Sequence, residues 1–114
     1  MSHNCLFCRI IRGEIPSTQV YSDDRTLAFR DIHPVAPVHL LVIPKEHVEL
    51  IASTRPEHEP LLGRLMRVAA QVAREAGVDG TGYRVTVNQG ADAGQQVDHL
   101  HLHVLGGRRL GGMG

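Results

Sequence analysis

Apolar residues recur along the chain with two different periods, separated by short polar turns. Near the N-terminus, the apolar side chains at positions 6, 7, 10 and 11 have helical spacing, which ends at Gly13. The runs TQVYSD and RTLAFRDI flank the polar residues DDR and predict a β-hairpin. VHLLVIP is rich in branched aliphatic residues, so it predicts a buried strand that ends at Pro44.

A long amphipathic helix is predicted in the middle of the chain. Thr54 and Glu57 fit a capping box, and Pro56 suits the first helical turn. Apolar residues then recur at intervals of three and four until Gly77, a natural C-terminal stop. Two further strands are predicted, in YRVTVNQ and DHLHLHVLG, with GADAG as a loop between them.

This order of elements predicts the α+β class, with a single domain over residues 1–114. We expect an antiparallel sheet of about five strands, one long amphipathic helix and a short N-terminal helix. A chain of 114 residues is long enough for one hydrophobic core and too short for two.

The charge balance narrows the range of partners. Twelve basic and twelve acidic residues cancel, so no overall field is available to attract nucleic acid or an acidic membrane. The sequence has no apolar run of the roughly 20 residues that cross a bilayer, and it lacks the pattern of a secretory signal. We therefore expect a cytoplasmic protein, in which the pair Cys5 and Cys8 indicates a metal half-site or a redox pair before a disulfide.

Three histidines alternate with apolar residues in VDHLHLHVLGG, residues 97–107. In a strand, His99, His101 and His103 share one face, while Leu100, Leu102 and Val104 face the core. A metal cage, a catalytic row and a solvated strand face are all possible. Successive histidine Cα atoms lie roughly 6.6 Å apart in a strand, so one ion bound by all three would require a sharp bend. We therefore expect functional histidines that do not share one role.

The polar segment NQGADAGQQV, residues 88–97, leads into the histidines. Gly90 and Gly94 allow a ligand to approach the backbone closely, and free N–H groups there could hold phosphate oxygens. Asn88, Gln95 and Gln96 offer further neutral hydrogen bonds. The alternative is an ordinary hairpin connection.

Several separated motifs resemble the histidine triad (HIT) superfamily, and in particular its Hint branch of purine nucleoside phosphoramidases. They are CRIIRGEIPS, YSDDRTLAFRDIHPVAPVHLLVIPKEHV and NQGADAGQQVDHLHLHVLGGR, in the family's order and spacing from about residue 5 to residue 108. The resemblance implies a HIT-like fold, a homodimer, and hydrolysis of the P–N bond of purine nucleoside 5′-phosphoramidates to nucleoside monophosphates through a nucleotidylated histidine.

The same resemblance implies roles for individual residues. His101 would be the nucleophile, with His103 and His39 binding the phosphate and stabilising its developing charge. Asp31 would bind the ribose hydroxyls. The walls of the base site would be Leu6, Phe7, Phe29 and Ile32, and the phosphate contacts would be Asn88, Gly94, Gln95 and Gln96.

Some relatives in this superfamily bind zinc with two cysteines and two histidines. The matching residues are Cys5, Cys8, His47 and His99, which would make a structural zinc site, with no cofactor needed for the reaction itself. A thioredoxin-like redox pair is the weaker alternative because no strand precedes the motif, and free buried thiols are the third.

Two other functions remain open. One is a dinucleoside-polyphosphate hydrolase of the Fhit kind, although QQV before the histidines and LGGR after them favour Hint. The other is a zinc-containing nucleotide-binding or interaction module with little catalysis. Gln96, where the family often has serine or threonine, and the short C-terminal tail keep this last alternative open. His33 also departs from the family pattern, in which we expect a small residue beside Asp31.

Overall fold

The computed structural model describes residues 4–114, and within them a five-stranded antiparallel sheet lies against one long helix. The sheet order is β1-β2-β3-β5-β4. The elements in chain order are α1 (Leu6–Ile11), β1 (Gln19–Ser22), β2 (Thr26–Arg30), β3 (Val38–Pro44), α2 (Glu59–Glu75), β4 (Tyr83–Thr86) and β5 (Leu102–Gly106). The predicted α+β class and antiparallel sheet are confirmed.

Alternate residues of the central strands pack on the two faces of the sheet. Ala28 of β2 and Val42 of β3 belong to the core beneath α2, together with the buried apolar residues of that helix. Their neighbours Phe29 and Leu41 point the other way and pack with Phe7 of α1. Strands buried on both faces explain why VHLLVIP is apolar at nearly every position.

The predicted hairpin is confirmed, and Asp23 organises its turn. One carboxylate oxygen of Asp23 accepts hydrogen bonds from the N–H groups of Arg25 and Thr26, each at 2.8 Å. The other oxygen accepts from the hydroxyl of Tyr21 and the guanidinium of Arg64, so α2 is tied to the hairpin. These bonds hold the pKa of Asp23 well below its usual range.

The predicted start of the long helix is wrong. The helix begins at Glu59, after 3-10 turns at Ile51–Ser53 and Pro56–His58. Thr54 does not cap it, because the Thr54 hydroxyl donates back to the carbonyl of Ile51 at 2.6 Å. The predicted C-terminal stop holds, since Gly77 follows the helix with a φ of 80°.

The last strand is shorter than predicted, because it begins at Leu102 and leaves His99 and His101 in the segment before it. The alternation nevertheless persists through this segment. Leu100, Leu102 and Val104 are all buried in the core beneath α2, as expected. No helix among the described residues is both long and apolar enough to span a membrane.

Candidate active site and metal centre

A cavity of about 740 Å³ opens beside the end of the sheet where β2, β3 and β5 meet the loops. Most of the predicted nucleotide-binding residues line it, including those predicted for the base and those predicted for the ribose and phosphate. They are Leu6, Phe7, Phe29, Asp31, Ile32, His39, Asn88, Gly94, Gln96, His101 and His103. The cavity therefore joins an apolar half to a half rich in imidazoles.

The apolar half is built by α1 and the strands beneath it. Phe7 and Phe29 meet edge to face, with ring centroids 5.6 Å apart. Ile32, in contrast, is 81% exposed at the rim of the cavity. Ile10 and Ile15 also line this half, although no pattern in the sequence distinguishes them from ordinary core residues.

Gln95 lies outside the lining residues and holds the preceding loop together instead. Its side-chain oxygen accepts from the N–H of Gly90 at 2.8 Å, and its amide nitrogen donates to the carbonyls of Glu49 and Val97. Both the oxygen and the nitrogen of this amide are hydrogen-bonded to the backbone. The side chain therefore has no free N–H group for the predicted contact with a phosphate. Gly94 and Gln96 remain in the cavity wall.

The ring of His101 has one nitrogen occupied and one available. Its Nδ1 lies 2.7 Å from the carbonyl oxygen of His99. A carbonyl only accepts hydrogen bonds, so Nδ1 carries the proton and Nε2 has a free lone pair. The edge of Phe7 packs against the ring, with centroids 5.2 Å apart, which fixes its orientation. In its neutral form His101 is thus an oriented nucleophile or base, with the lone pair on Nε2.

His39 and His103 form a second ordered pair. The N–H of Val35 donates to Nδ1 of His39 at 3.1 Å, so the proton of a neutral His39 lies on Nε2. This Nε2 is 2.9 Å from Nδ1 of His103, to which it donates, and 3.4 Å from a carboxylate oxygen of Asp31. His103 is therefore left with its own proton on Nε2. The pair can present a hydrogen-bond donor to an anion in the cavity.

Burial keeps these two rings neutral. It lowers the pKa of His39, although the charge of Asp31 opposes the shift. Burial, together with the neighbouring imidazoles of His101 and His39, lowers the pKa of His103 to about 4. Each neutral ring then has one N–H group and one free nitrogen lone pair. The hydrogen bonds from Val35 to His39 and from His39 to His103 require this arrangement.

The predicted metal ligands lie close together around the ring of His99. One ligand atom from each of Cys5, Cys8, His47 and His99 lies within 4.8 Å of the others. The sulfur of Cys5 is 3.3 Å from Nδ1 of His99, and the sulfur of Cys8 is 3.3 Å from Nδ1 of His47. Two thiolates and two imidazoles at such spacing fit a tetrahedral zinc site.

A hydrogen bond prepares His99 of this cluster for a metal. Nε2 of His99 lies 2.8 Å from the carbonyl of Pro44 and donates to it, so Nδ1 faces the cysteines without a proton. Nε2 of His47 lies 3.8 Å from a carboxylate oxygen of Glu49. Burial and the thiol of Cys5 raise the pKa of the Cys8 thiol to about 11, and a bound cation would reverse this shift.

Asp31, His39 and His103 are also close enough together to hold a metal. Here the hydrogen bonds oppose it. A metal on Nε2 of a neutral His39 would move the proton to Nδ1, where it would face the N–H of Val35. The two clusters therefore differ in kind, one suited to a metal and the other to an anion.

The chain is similar to known proteins over nearly its full length. Residues 12–110 match the family model described as HIT domain. The chain is 47% identical over 113 residues to the purine nucleoside phosphoramidase of Escherichia coli strain K12, covering 99% of this chain and 95% of that protein.

Two solved structures extend the likeness to three dimensions. A HIT family hydrolase from Legionella pneumophila superposes with a TM-score of 0.90 at 47% identity, covering 93% of this chain and 95% of the other. A zinc-bound histidine triad family protein from Mycobacterium smegmatis superposes with a TM-score of 0.79 at 36% identity, covering 95% of this chain and 78% of the other.

Proposed function

Because the chain belongs to the HIT domain family, we propose that it is a hydrolase that cleaves the P–N bond of purine nucleoside 5′-phosphoramidates. The observation that carries the proposal is the state of His101, whose Nδ1 proton is held by the carbonyl of His99. This leaves Nε2 as a nucleophile beside a donor pair that suits a phosphate.

The cavity suits each part of such a substrate. The apolar side chains that α1 and β2 contribute to the cavity wall suit a purine base, and the carboxylate of Asp31 in the same wall suits the ribose hydroxyls. Asn88, Gly94 and Gln96 line the same cavity and offer polar groups to the phosphate. The apolar half offers large surfaces for stacking, which favours the larger purine bases over pyrimidines.

The reaction proceeds in two steps. Nε2 of His101 attacks the α-phosphorus, the new N–P bond forms, and the P–N bond to the amine breaks as the amine leaves with a proton from water. A second water attacks the phosphorus and breaks the bond to Nε2, and the proton that this water loses neutralises the hydroxide left by the first step. The nucleoside monophosphate and His101 with its Nε2 lone pair are released. The Nε2–H of His103 stabilises charge that develops on the phosphoryl oxygens in both steps.

His39 supports this donor without contacting the attacking nitrogen. Its Nε2–H occupies Nδ1 of His103, so His103 has only its Nε2–H to offer. If His39 were absent, the proton of His103 could lie on either nitrogen. The pair therefore acts as one donor with a defined direction.

We also propose that Cys5, Cys8, His47 and His99 hold a structural Zn²⁺. When bound, the ion supplies a closed tetrahedral centre and no catalytic water. The cluster ties the N-cap of α1 to the segment that carries His101, because Cys5 caps the helix and His99 lies two residues before the nucleophile.

A homodimer is proposed from the open edge of the sheet. β4 (Tyr83–Thr86) lies at the end of the strand order and pairs only with β5 among the described residues. An edge strand offers unpaired N–H and C=O groups to a second copy. Tyr83 is exposed on it, and the strand contains no proline and a single charged residue, Arg84.

Release of AMP from adenosine 5′-phosphoramidate tests the reaction. We expect turnover by the wild-type protein and a loss of at least about a thousandfold in His101→Ala, as for removal of other enzymic nucleophiles. His58→Asn, which changes a histidine outside the cavity, is the matched control. Full activity of His101→Ala contradicts the mechanism. Faster turnover of a diadenosine polyphosphate than of the phosphoramidate would favour the Fhit-like alternative, and tight AMP binding without turnover would favour a binding module.

A further inference from the structure

The loop of residues 31–37 joins β2 to β3 and forms one wall of the cavity. Within this loop only Ala36 is buried, whereas Ile32 is 81% exposed and Val35 is 63% exposed. Pro34 and Pro37 have no N–H group with which to anchor the backbone. The position of this loop therefore depends on a few hydrogen bonds.

Both backbone polar groups of Val35 make hydrogen bonds to side chains. Its N–H donates to Nδ1 of His39 at 3.1 Å, and its carbonyl accepts from Nη2 of Arg108 at 2.9 Å. The Nη1 group of the same arginine donates to the carbonyl of Arg109 at 2.9 Å. The planar guanidinium thus bridges the end of β5 and the 31–37 loop.

Gly107 brings these two segments close enough for the bridge. Its φ of 95° lies in the region that favours glycine, and a Cβ atom there would lie 2.8 Å from Cβ of Pro37. The backbone therefore passes directly over Pro37 before it reaches Arg108. This approach brings the exposed guanidinium of Arg108 within hydrogen-bond distance of the carbonyl of Val35.

We propose, on the basis of the function proposed above, that Arg108 is a positioning residue for the donor pair His39 and His103. By holding the carbonyl of Val35, it keeps the neighbouring N–H aimed at Nδ1 of His39. That hydrogen bond places the His39 proton on Nε2, which donates to Nδ1 of His103 and leaves the Nε2–H of His103 for the phosphoryl oxygens. Arg108 acts through Val35 and contacts neither ring in this chain of bonds.

Three variants test the proposal. Arg108→Gln removes the guanidinium, Arg108→Lys keeps the charge but not the fork, and Arg109→Gln removes a neighbouring charge as the control. Steady-state kinetics on adenosine 5′-phosphoramidate measure kcat and KM. Long-range ¹H–¹⁵N NMR of the imidazole nitrogens reports which nitrogen of each histidine carries the proton, and it requires no turnover.

We expect Arg108→Gln to lower kcat about tenfold, since small errors in placement have effects of this order or larger, with little change in KM. The NMR signals of Nδ1 and Nε2 in His39 should move toward each other as both tautomers become populated, whereas those of His101, held by the carbonyl of His99, should stay unchanged. Arg108→Lys should restore part of both properties.

Two results would overturn the proposal. One is Arg108→Gln behaving like Arg109→Gln in kcat and in the His39 signals. The other is a fall in kcat with unchanged His39 signals, which would mean that Arg108 acts on the reaction by another route. A wild-type protein without phosphoramidase activity would refute the proposed function alone, because the NMR signals of His39 would still decide the role of Arg108.

Discussion

The carbonyl oxygen of His99 lies 2.7 Å from Nδ1 of His101, while the ring of the same His99 lies 3.3 Å from the sulfur of Cys5. His99 thus touches the candidate nucleophile with its backbone and the candidate metal centre with its side chain. It is fully buried, so neither contact is free to adjust without the other. Events at the cysteines should therefore reach the active site.

Loss of the cysteine–histidine cluster should lower both stability and turnover. In Cys8→Ser, or after removal of zinc by a chelator, we expect the melting temperature to fall by at least about 5 °C, which corresponds to roughly 1 kcal/mol in a domain of this size. The value of kcat should fall as well, because the carbonyl that orients His101 belongs to His99, one of the proposed zinc ligands. Metal analysis and calorimetry measure both effects, and re-addition of zinc should reverse the chelator effect. Wild-type protein without zinc would contradict the site.

Much of the site could be predicted from the sequence, because the placement of these residues follows from hydrophobic periodicity and residue type. Alternation placed Leu100, Leu102 and Val104 in the core, as observed. The wide spacing of successive histidines indicated that they do not share one ion, and the structure directs His99 toward the cysteines and His103 toward His39.

The tautomers were beyond the reach of the sequence. They depend on backbone groups, the carbonyls of Pro44 and His99 and the N–H of Val35, and any residue except proline offers the same N–H. The backbone contacts of Gln95 were unpredicted for a related reason, because an amide suits a phosphate and a backbone equally well. The start of the long helix was wrong since Thr54 had a local carbonyl to bond instead.

Replacement of Asp31 should remove discrimination between ribose and deoxyribose. One oxygen of Asp31 accepts from the N–H of His33 at 2.8 Å, and an asparagine oxygen can keep this bond in Asp31→Asn. The variant should therefore fold normally and lose the charge that attracts the vicinal hydroxyls. We expect KM for adenosine 5′-phosphoramidate to rise about tenfold, the effect of losing one charged hydrogen bond, while KM for the 2′-deoxy substrate changes less.

Asp98→Asn is the control for this experiment, because Asp98 is an exposed carboxylate outside the cavity lining. Equal increases in KM for the two substrates in Asp31→Asn would show that Asp31 does not bind the ribose.

The low pKa of His103 should make stability depend on pH between about 6.5 and 4. Its pKa falls from its ordinary value of 6.5 to about 4 in the folded chain, mainly through burial, so the unfolded chain binds more protons in this range. The stability linked to neutral His103 is therefore complete above pH 6.5 and is lost progressively as the pH falls toward 4.

Between pH 7 and pH 5 the melting temperature of His103→Asn should fall less than that of the wild type, because asparagine does not titrate. Calorimetry at the two pH values measures the difference. Part of the dependence should persist in the variant, since burial also lowers the pKa of His39. Identical losses in wild type and variant would show that His103 is not kept neutral by the fold.

The dimer should depend on the edge strand β4 (Tyr83–Thr86). Light scattering at micromolar concentration should give twice the mass of one chain for the wild type. In Tyr83→Lys, antiparallel pairing of two copies would bring like charges close together, so we expect the mass of a monomer. Ile51→Lys introduces the same charge at an exposed apolar residue of a 3-10 turn and should remain dimeric. A monomeric wild type would contradict the proposed homodimer.

Gly107→Ala should destabilise the chain through two separate effects. Its φ of 95° is unfavourable for alanine, at a cost of about 1–2 kcal/mol, and the added Cβ would lie 2.8 Å from Cβ of Pro37. Because the loop would have to move, Arg108 should lose its bond to Val35, and kcat should fall together with the melting temperature. Gly111→Ala is the control, since nothing lies within 4 Å of an added Cβ there and its φ is not in the positive region. Denaturant unfolding of the two variants measures the difference, and equal stability would mean that the close approach of Gly107 to Pro37 does not constrain the fold.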